Sequence, residues 1–354
     1  MKKYMDLEDM VNINCSNVLN IIQKSGQVSR KEITCFSGLS WGGMTKIVNK
    51  LIEKGYITEK KMEGGLSASG RTPSLLSVNK EKNFIVGLDL NQTGLSAVVL
   101  DLTGEILKSY TAPAGFGSRQ ELEESTVDFV SRIFEGFEKN AIIAIGVAMQ
   151  GIVDNSTGVC ERFFANDEPE SISVKELLEN RFSVNVFVEH DPDCMLFSHL
   201  SYESRENVVL LRIDKSIGMA IAVGGKIIKR KGIFEIAHNC VIPGGIKCRC
   251  GLQGCLGAYI EQCFKNNEIQ TKKIDELMLP LSVTVKNLAN LFNADKIILT
   301  GALMEHKEAF EDKLSALLEE YRCQTKAEIF PVSDFAVRGA GLIAIQKSIA
   351  SLEI

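Results

Sequence analysis

Three of the ten cysteines in this 354-residue chain fall within eight positions, in the run Cys248-Arg249-Cys250-Gly251-Leu252-Gln253-Gly254-Cys255. Thiolates are ligands for zinc and other thiophilic metals. Ten cysteines in so long a chain are too dilute for a disulfide scaffold, so a metal site explains the crowding better than bridges do. Two thiolates one residue apart and a third five residues later, on a turn punctuated by glycine, can converge on one tetrahedral ion if a fourth ligand arrives from nearby. A redox pair or a chance cluster is the alternative reading of the same spacing.

A second set of residues could read nucleic acid, namely Ser40, Trp41, Thr45, Lys46 and Asn49, with Arg71 further on. Three short helices must position the first five. Val18, Leu19, Ile21 and Ile22 recur at helical spacing between Asn14 and Ser25. Ser29 with Glu32 three residues on is a capping-box pattern, opening a second helix that Gly38 ends. After Ser40, a natural N-cap, Met44, Ile47, Val48, Leu51 and Ile52 form one apolar stripe, and Gly55 stops the third helix. Helix, helix, tight glycine turn, helix is the helix-turn-helix pattern, whose last helix enters the major groove with its N-terminal residues at base edges.

The segment Tyr56–Lys61 reads as a strand and Leu75–Val78 as its return, which makes the intervening Gly/Ser-rich stretch a wing. Arg71 at its end suits a minor groove, where arginine meets enhanced negative potential. Gly42 and Gly43 weaken the third helix by about 1 kcal/mol each relative to alanine, a cost that makes sense only if a backbone must pass close by.

Charge supports a polyanion-binding module on an acidic body. Residues 1–80 hold 12 Lys/Arg against 7 Asp/Glu, and the remainder 28 against 38, within a net charge of −5. With 45% hydrophobic and 24% charged residues, the chain can bury a large core in two or three domains. No apolar run reaches the roughly 18 residues of a membrane span, and the start turns acidic before any apolar stretch, so neither a span nor a signal peptide is expected. The expected address is the cytoplasm.

From Phe84 the pattern turns to strands: FIVGLDL and LSAVVLDL with a Thr103-Gly104 turn before Glu105-Ile106-Leu107, then AIIAIGVA, VVLLRI, IGMAIAV and KIILTG. Helical stretches near 119–138, 173–181, 283–293 and 306–322 alternate with them, which predicts an α/β body.

The run SRKEITCFSGLSWGGMTKIVNKLIEKGYI, followed by SGRTPSLLSVN, resembles the winged-helix head of repressors in the ROK family (repressors, open reading frames and kinases), the xylose-type repressors in particular. From about Asn14 to Ile345 the chain resembles that family throughout. The resemblance implies a winged helix-turn-helix head over 1–80 and an actin-like, ribonuclease H-like two-lobed ROK domain with a sugar cleft between its lobes. The small lobe would span 81–190 and the large lobe 191–354, with the last helix able to pack back on the small lobe.

His238 with the three clustered cysteines is similar to the family's zinc signature, so the resemblance makes His238 the fourth ligand of a structural zinc with no open position. It makes His190, Asp191, Glu235 and His238 the sugar-facing residues, Asp191 matching the kinases' catalytic base. It further implies double-stranded operator DNA and a sugar effector as partners, a homodimer or homotetramer, and an alternative role as an ATP-dependent sugar kinase.

The departures from the family pattern concern chemistry. His190 stands where relatives carry Asn, and Gly257 where they carry a sugar-binding Glu. The kinases' Asp-x-Gly-Gly-Thr loop reads Asp89-Leu90-Asn91-Gln92-Thr93, the later glycine-rich loop reads Lys215-Ser216-Ile217-Gly218-Met219-Ala220, and a C-terminal glycine pair reads Thr300-Gly301. Phosphate-cradling loops need glycine so that backbone N–H groups can approach the oxygens. The expectation is a non-enzyme: a repressor of carbohydrate-utilisation genes, such as those for xylose, relieved by a sugar in a cleft that no longer takes ATP.

Overall fold

The structure is a computed structural model and describes residues 7–61, 74–91, 94–113, 118–163, 171–200, 205–229, 232–265, 268–331 and 334–352. It opens with α1 (Leu7–Ser25), α2 (Arg30–Ser37), α3 (Trp41–Glu53) and the antiparallel pair β1 (Ile57–Lys61) and β2 (Ser74–Val78). The expected capping box is formed. Ser29 Oγ accepts from the Glu32 N–H while the Glu32 carboxylate accepts from the Ser29 N–H at 2.8 Å. Gly38 closes α2 in the left-handed region at φ +68°, and Ser40 caps α3 by accepting from the Gly43 N–H. The apolar stripe then does what its spacing predicts: Val18, Leu19, Ile22, Ile33, Met44, Val48 and Leu51 are fully buried together with Leu76 of β2. Val28 exchanges both backbone hydrogen bonds with Leu76, which fastens the returning strand to the turn before α2.

The chain continues through β3 (Phe84–Asn91), β4 (Gly94–Leu100), β5 (Ile106–Pro113), α4 (Arg119–Glu135), β6 (Ile142–Met149), β7 (Gly151–Asp154), β8 (Val159–Phe163), α5 (Val174–Phe182) and β9 (Asn185–His190). It then forms α6 (Asp191–His199), β10 (Val208–Ile213), β11 (Ile217–Val223), β12 (Lys226–Ile227), α7 (Leu256–Gln262), β13 (Phe264–Lys265) and β14 (Glu268–Ile269). Last come α8 (Thr271–Phe292), β15 (Lys296–Thr300), α9 (Lys307–Glu320), β16 (Lys326–Ile329) and α10 (Phe335–Ala350).

Two five-stranded sheets repeat one strand order. The first runs β5-β4-β3-β6-β9 and the second β12-β11-β10-β15-β16, so each grows from a meander of three strands to which two later strands are added on the far side. In the second sheet β10–β11–β12 are antiparallel neighbours, and β15 and β16 join parallel. Parallel pairing needs a long crossover, and the helices α7–α8 and α9 provide it. This is the mixed α/β architecture expected of an actin-like body.

The chain divides into two compact units: 1–147 with 173–188 and 340–354, and 148–172 with 189–339. In the first, Gly146 of β6 lies where a Cβ would come within 2.0 Å of the Ala340 carbonyl oxygen, so absence of a side chain is what lets α10 lie against that sheet. The core of the second unit packs Val209, Leu211, Ile297 and Leu299 of the sheet against Leu277, Leu281 and Val285 of α8 and Leu314 of α9.

Two helix starts differ from expectation: the first helix, read from Asn14, begins at Leu7. The third body helix, expected to begin near 283, begins at Thr271 and runs through Pro280. Proline usually ends a helix interior, but Ile274, Leu277, Leu281, Val285 and Leu288 continue one buried face across it, and that burial outweighs the lost hydrogen bond. Among the described residues no helix is long and apolar enough to cross a membrane.

Candidate functional site

The thiol cluster converges as its spacing predicts. The ligand atoms of His238, Cys248, Cys250 and Cys255 all lie within 4.8 Å of one another. His238 Nδ1 is 3.5 Å from Cys248 Sγ, and Cys250 Sγ is 3.7 Å from Cys255 Sγ. A tetrahedral ion with metal–sulfur distances of about 2.3 Å and metal–nitrogen distances of about 2.0–2.1 Å has edges of about 3.8 and 3.5 Å between such donors, so the four residues fit one. A short turn holds them. The Cys248 N–H donates to the Leu252 carbonyl, and the Gly251 N–H to that of Cys248. His238 comes from a 3-10 turn, Ile236–His238. Burial pushes the Cys255 thiol up to about 12, whereas the Leu252 backbone draws Cys250 down. A bound cation would hold all three as thiolates, which makes binding release protons and weaken as pH falls.

A pocket in the second unit is lined by Gln150, His190, Asp191, Arg212, Asp214, Ile217, Met219 and Phe234, among others. Asp191 is the first residue of α6 and His190 its N-cap. Both are buried. Asp191 Oδ2 is bound by the Arg212 guanidinium, whose Nε also meets Asp214 Oδ2 at 2.5 Å. His190 Nε2 faces the other Asp191 oxygen at 3.6 Å. Burial raises the Asp191 carboxyl above the ordinary carboxylate range, and Arg212 works against that rise. Asp214 is further tied by the Ala302 N–H, 2.6 Å from its Oδ1.

Of the four expected sugar-facing residues, the structure brings His190 and Asp191 into this pocket. Glu235 is exposed and does not line it, although its neighbour Phe234 does, and His238 turns Nδ1 to the thiol cluster. Sequence reasoning missed Arg212 and Gln150. An arginine inside the strand run VVLLRI gave no sign of the carboxylate 21 positions earlier that it would meet, and Gln150 looked like a strand end.

The glycines that remain near the kinase-like loops have reasons of their own. A Cβ on Gly218 would press on Pro192 Cγ at 2.8 Å. Gly301, at φ +105°, would meet the Ile213 backbone at 2.6 Å. In the first loop the Asn91 amide turns back to donate to Asp89 Oδ2 at 2.8 Å, while Gln92 and Thr93 lie outside the described residues.

In the head, Trp41 is 57% exposed at the first turn of α3, and Lys46 and Asn49 are exposed on the same helix. Ser40 is engaged as the helix cap. The Thr45 hydroxyl oxygen is shut off from solvent, with no hydrogen-bond partner among the described residues. Asn49 Oδ1 accepts from Arg30, which also pairs with Glu59 of β1 at 2.8 Å. Arg30, on α2, was not foreseen as part of this surface. Phe36, 65% exposed near the end of α2, was also missed. Arg71 lies outside the described residues. Gly42 is the instructive glycine. Beyond its own helix backbone, nothing among the described residues lies within 4 Å of where its Cβ would be, so no contact among them requires a glycine there.

Comparison with known proteins identifies the two parts of the chain. The ROK family model matches residues 85–262, half of the chain, and a winged helix-turn-helix DNA-binding model matches 16–58. The N-acetylglucosamine repressor of Escherichia coli O157:H7 is 28% identical over 333 residues, covering 83% of this chain and 81% of that protein. The xylose repressor of Bacillus subtilis strain 168 is 21% identical over 333 residues, covering 85% and 86%. Among solved structures, a ROK family transcriptional regulator described as a homologue of Escherichia coli Mlc superposes with a TM-score of 0.78 at 19% identity, covering 97% of each chain. A ROK family glucokinase from Streptomyces griseus superposes at 0.61 with 18% identity, over 75% of this chain and all of that one. At these identities the superpositions establish the fold alone.

Two outcomes follow from the geometry. Cys250→Ser should reduce bound metal, measured by atomic emission, from about one ion per chain to near none, because a closed site needs all four ligands. Undiminished metal in that variant removes Cys250 from the ligand set. Gly42→Ala should stabilise the head by about 1 kcal/mol in thermal or denaturant unfolding, as a helix interior prefers alanine and the space is open. The same variant should weaken DNA binding, and unchanged affinity would mean that no backbone approaches there.

Proposed function

Because this chain belongs to the ROK family, we propose that it is a DNA-binding transcriptional repressor of carbohydrate-utilisation genes, acting in the cytoplasm. A sugar or sugar derivative in the pocket around Asp191 relieves it. The observation that carries this reading is the winged helix itself. α3 is capped and packed on one side and offers Trp41, Lys46 and Asn49 on the other, the arrangement by which a recognition helix enters a major groove. The surplus of positive charge in residues 1–80, against a negative remainder, suits phosphate contacts. Relatives named as N-acetylglucosamine and xylose repressors support the same role.

We assign residues 1–80 to the DNA-binding head and the rest to a sugar-kinase-like body. Ser40, Thr45 and Arg71 join the DNA-facing set, Thr45 after a rotamer change and Arg71 from the wing. His190 and Asp191 serve the sugar from the pocket lining, and Glu235 and His238, which lie outside that lining, join them when the sugar is bound. The metal is zinc, held by His238, Cys248, Cys250 and Cys255, and its role is to stiffen the loop that carries the sugar-facing groups. A homodimer or homotetramer would present two heads to a palindromic operator.

Loss of phosphoryl transfer is supported by Arg212. It occupies one oxygen of the residue that would act as base, and Asp214 beside it would meet any phosphate with like charge. Asn91 folded onto Asp89 fills space that a phosphate loop keeps free.

DNA selected by the full-length protein from a random duplex library, then titrated with D-xylose, D-glucose and N-acetyl-D-glucosamine, tests the proposal. At least one sugar should weaken binding by about 5- to 150-fold, the range of ordinary allosteric coupling. Failure to enrich any sequence would remove the DNA-binding role, and enrichment with no response to any sugar would remove the effector role.

A further inference from the structure

Most polar groups facing the pocket are already paired within the protein. Asp191 binds Arg212, Arg212 binds Asp214, and Asp214 accepts from the Ala302 N–H. Gln150 differs. It stands in the bend between β6 and β7, is only 7% exposed and lines the same pocket, and its Oε1 has neither solvent contact nor a hydrogen-bond donor among the described residues. Buried acceptors in native proteins are almost always satisfied, so an orphan beside a pocket implies a donor that arrives from outside. Phe234, Ile217 and Met219 give the pocket an apolar wall on which a sugar ring can lie, and Asp191 is already held by Arg212.

We propose that Gln150 is the residue that selects the effector, its side-chain oxygen, enclosed in the free pocket, turning to accept a hydrogen bond from one hydroxyl of the bound sugar. The inference rests on the sugar-effector reading above. A sugar without that hydroxyl leaves the oxygen orphaned and is rejected.

Calorimetric titration of the full-length protein and of Gln150→Leu with D-glucose, D-xylose and N-acetyl-D-glucosamine tests this. At least one sugar should bind the parent protein and bind Gln150→Leu about 5- to 150-fold more weakly, the loss expected for an unmade buried hydrogen bond. The ligand-free variant should melt no lower than the parent, since replacing an unsatisfied buried acceptor by an apolar group is neutral or stabilising. Lower stability with unchanged affinity would mark Gln150 as merely structural and overturn the inference. For the sugar that binds, one monodeoxy derivative should lose affinity for the parent but not for the variant. Equal affinity of parent and variant for every sugar overturns the role of Gln150 and leaves the effector reading standing, whereas no binding to the parent overturns both. Should Gln150→Leu not fold, Gln150→Met, which keeps the unbranched stem, carries the same expectations.

Discussion

A carboxylate taken out of water must be answered by a positive charge or lose its own, and Asp191 is answered by Arg212. The arrangement around the pocket follows from that pairing. Arg212 sits on β10, Asp191 opens α6, and the same guanidinium reaches Asp214 at the far end of β10, whose second oxygen receives the backbone after β15. Strand, helix and loop are thereby fixed around one cation. Removing that cation would strand a buried charge, the costly direction for any buried pair.

The same accounting of buried polar atoms links the other features. The loop around Cys248 and Cys255 packs few apolar groups, and its order depends on backbone bonds within the turn and on what the four ligands can hold. Gln150 shows the opposite case, an oxygen enclosed without a donor. In the head, the surface proposed for DNA is where good packing is absent: Trp41 stands largely in solvent and Gly42 has space around it that the described residues do not fill.

Local rules made the head legible in the sequence. A capping box, a left-handed glycine and a stripe at helical spacing are decided within a few residues, so Ser29, Glu32, Gly38 and Ser40 could be read before any tertiary contact was known. The convergence of the thiols was legible because three of the four residues are close in sequence, and resemblance supplied His238. Long-range pairing was not legible. Arg212 read as one charge in an apolar strand, since only the fold brings Asp191 to it. The first three turns of α8, upstream of the expected start, were not read as helix, and its buried face continues through Pro280. Solvent-face counting assigned Thr45 outward, but the hydroxyl turned in. Glu235 was matched to a sugar-facing role, yet its carboxylate stands in solvent, outside the pocket lining.

The proposed repressor role requires a sugar-kinase-like fold that binds a sugar without transferring phosphate to it. The most direct measurement is ADP release from magnesium ATP by the purified full-length protein in the presence of D-glucose, D-xylose or N-acetyl-D-glucosamine. The account predicts no release above the protein-free background with any of the three. Turnover above about 1 per second, an ordinary enzymatic rate, would contradict it.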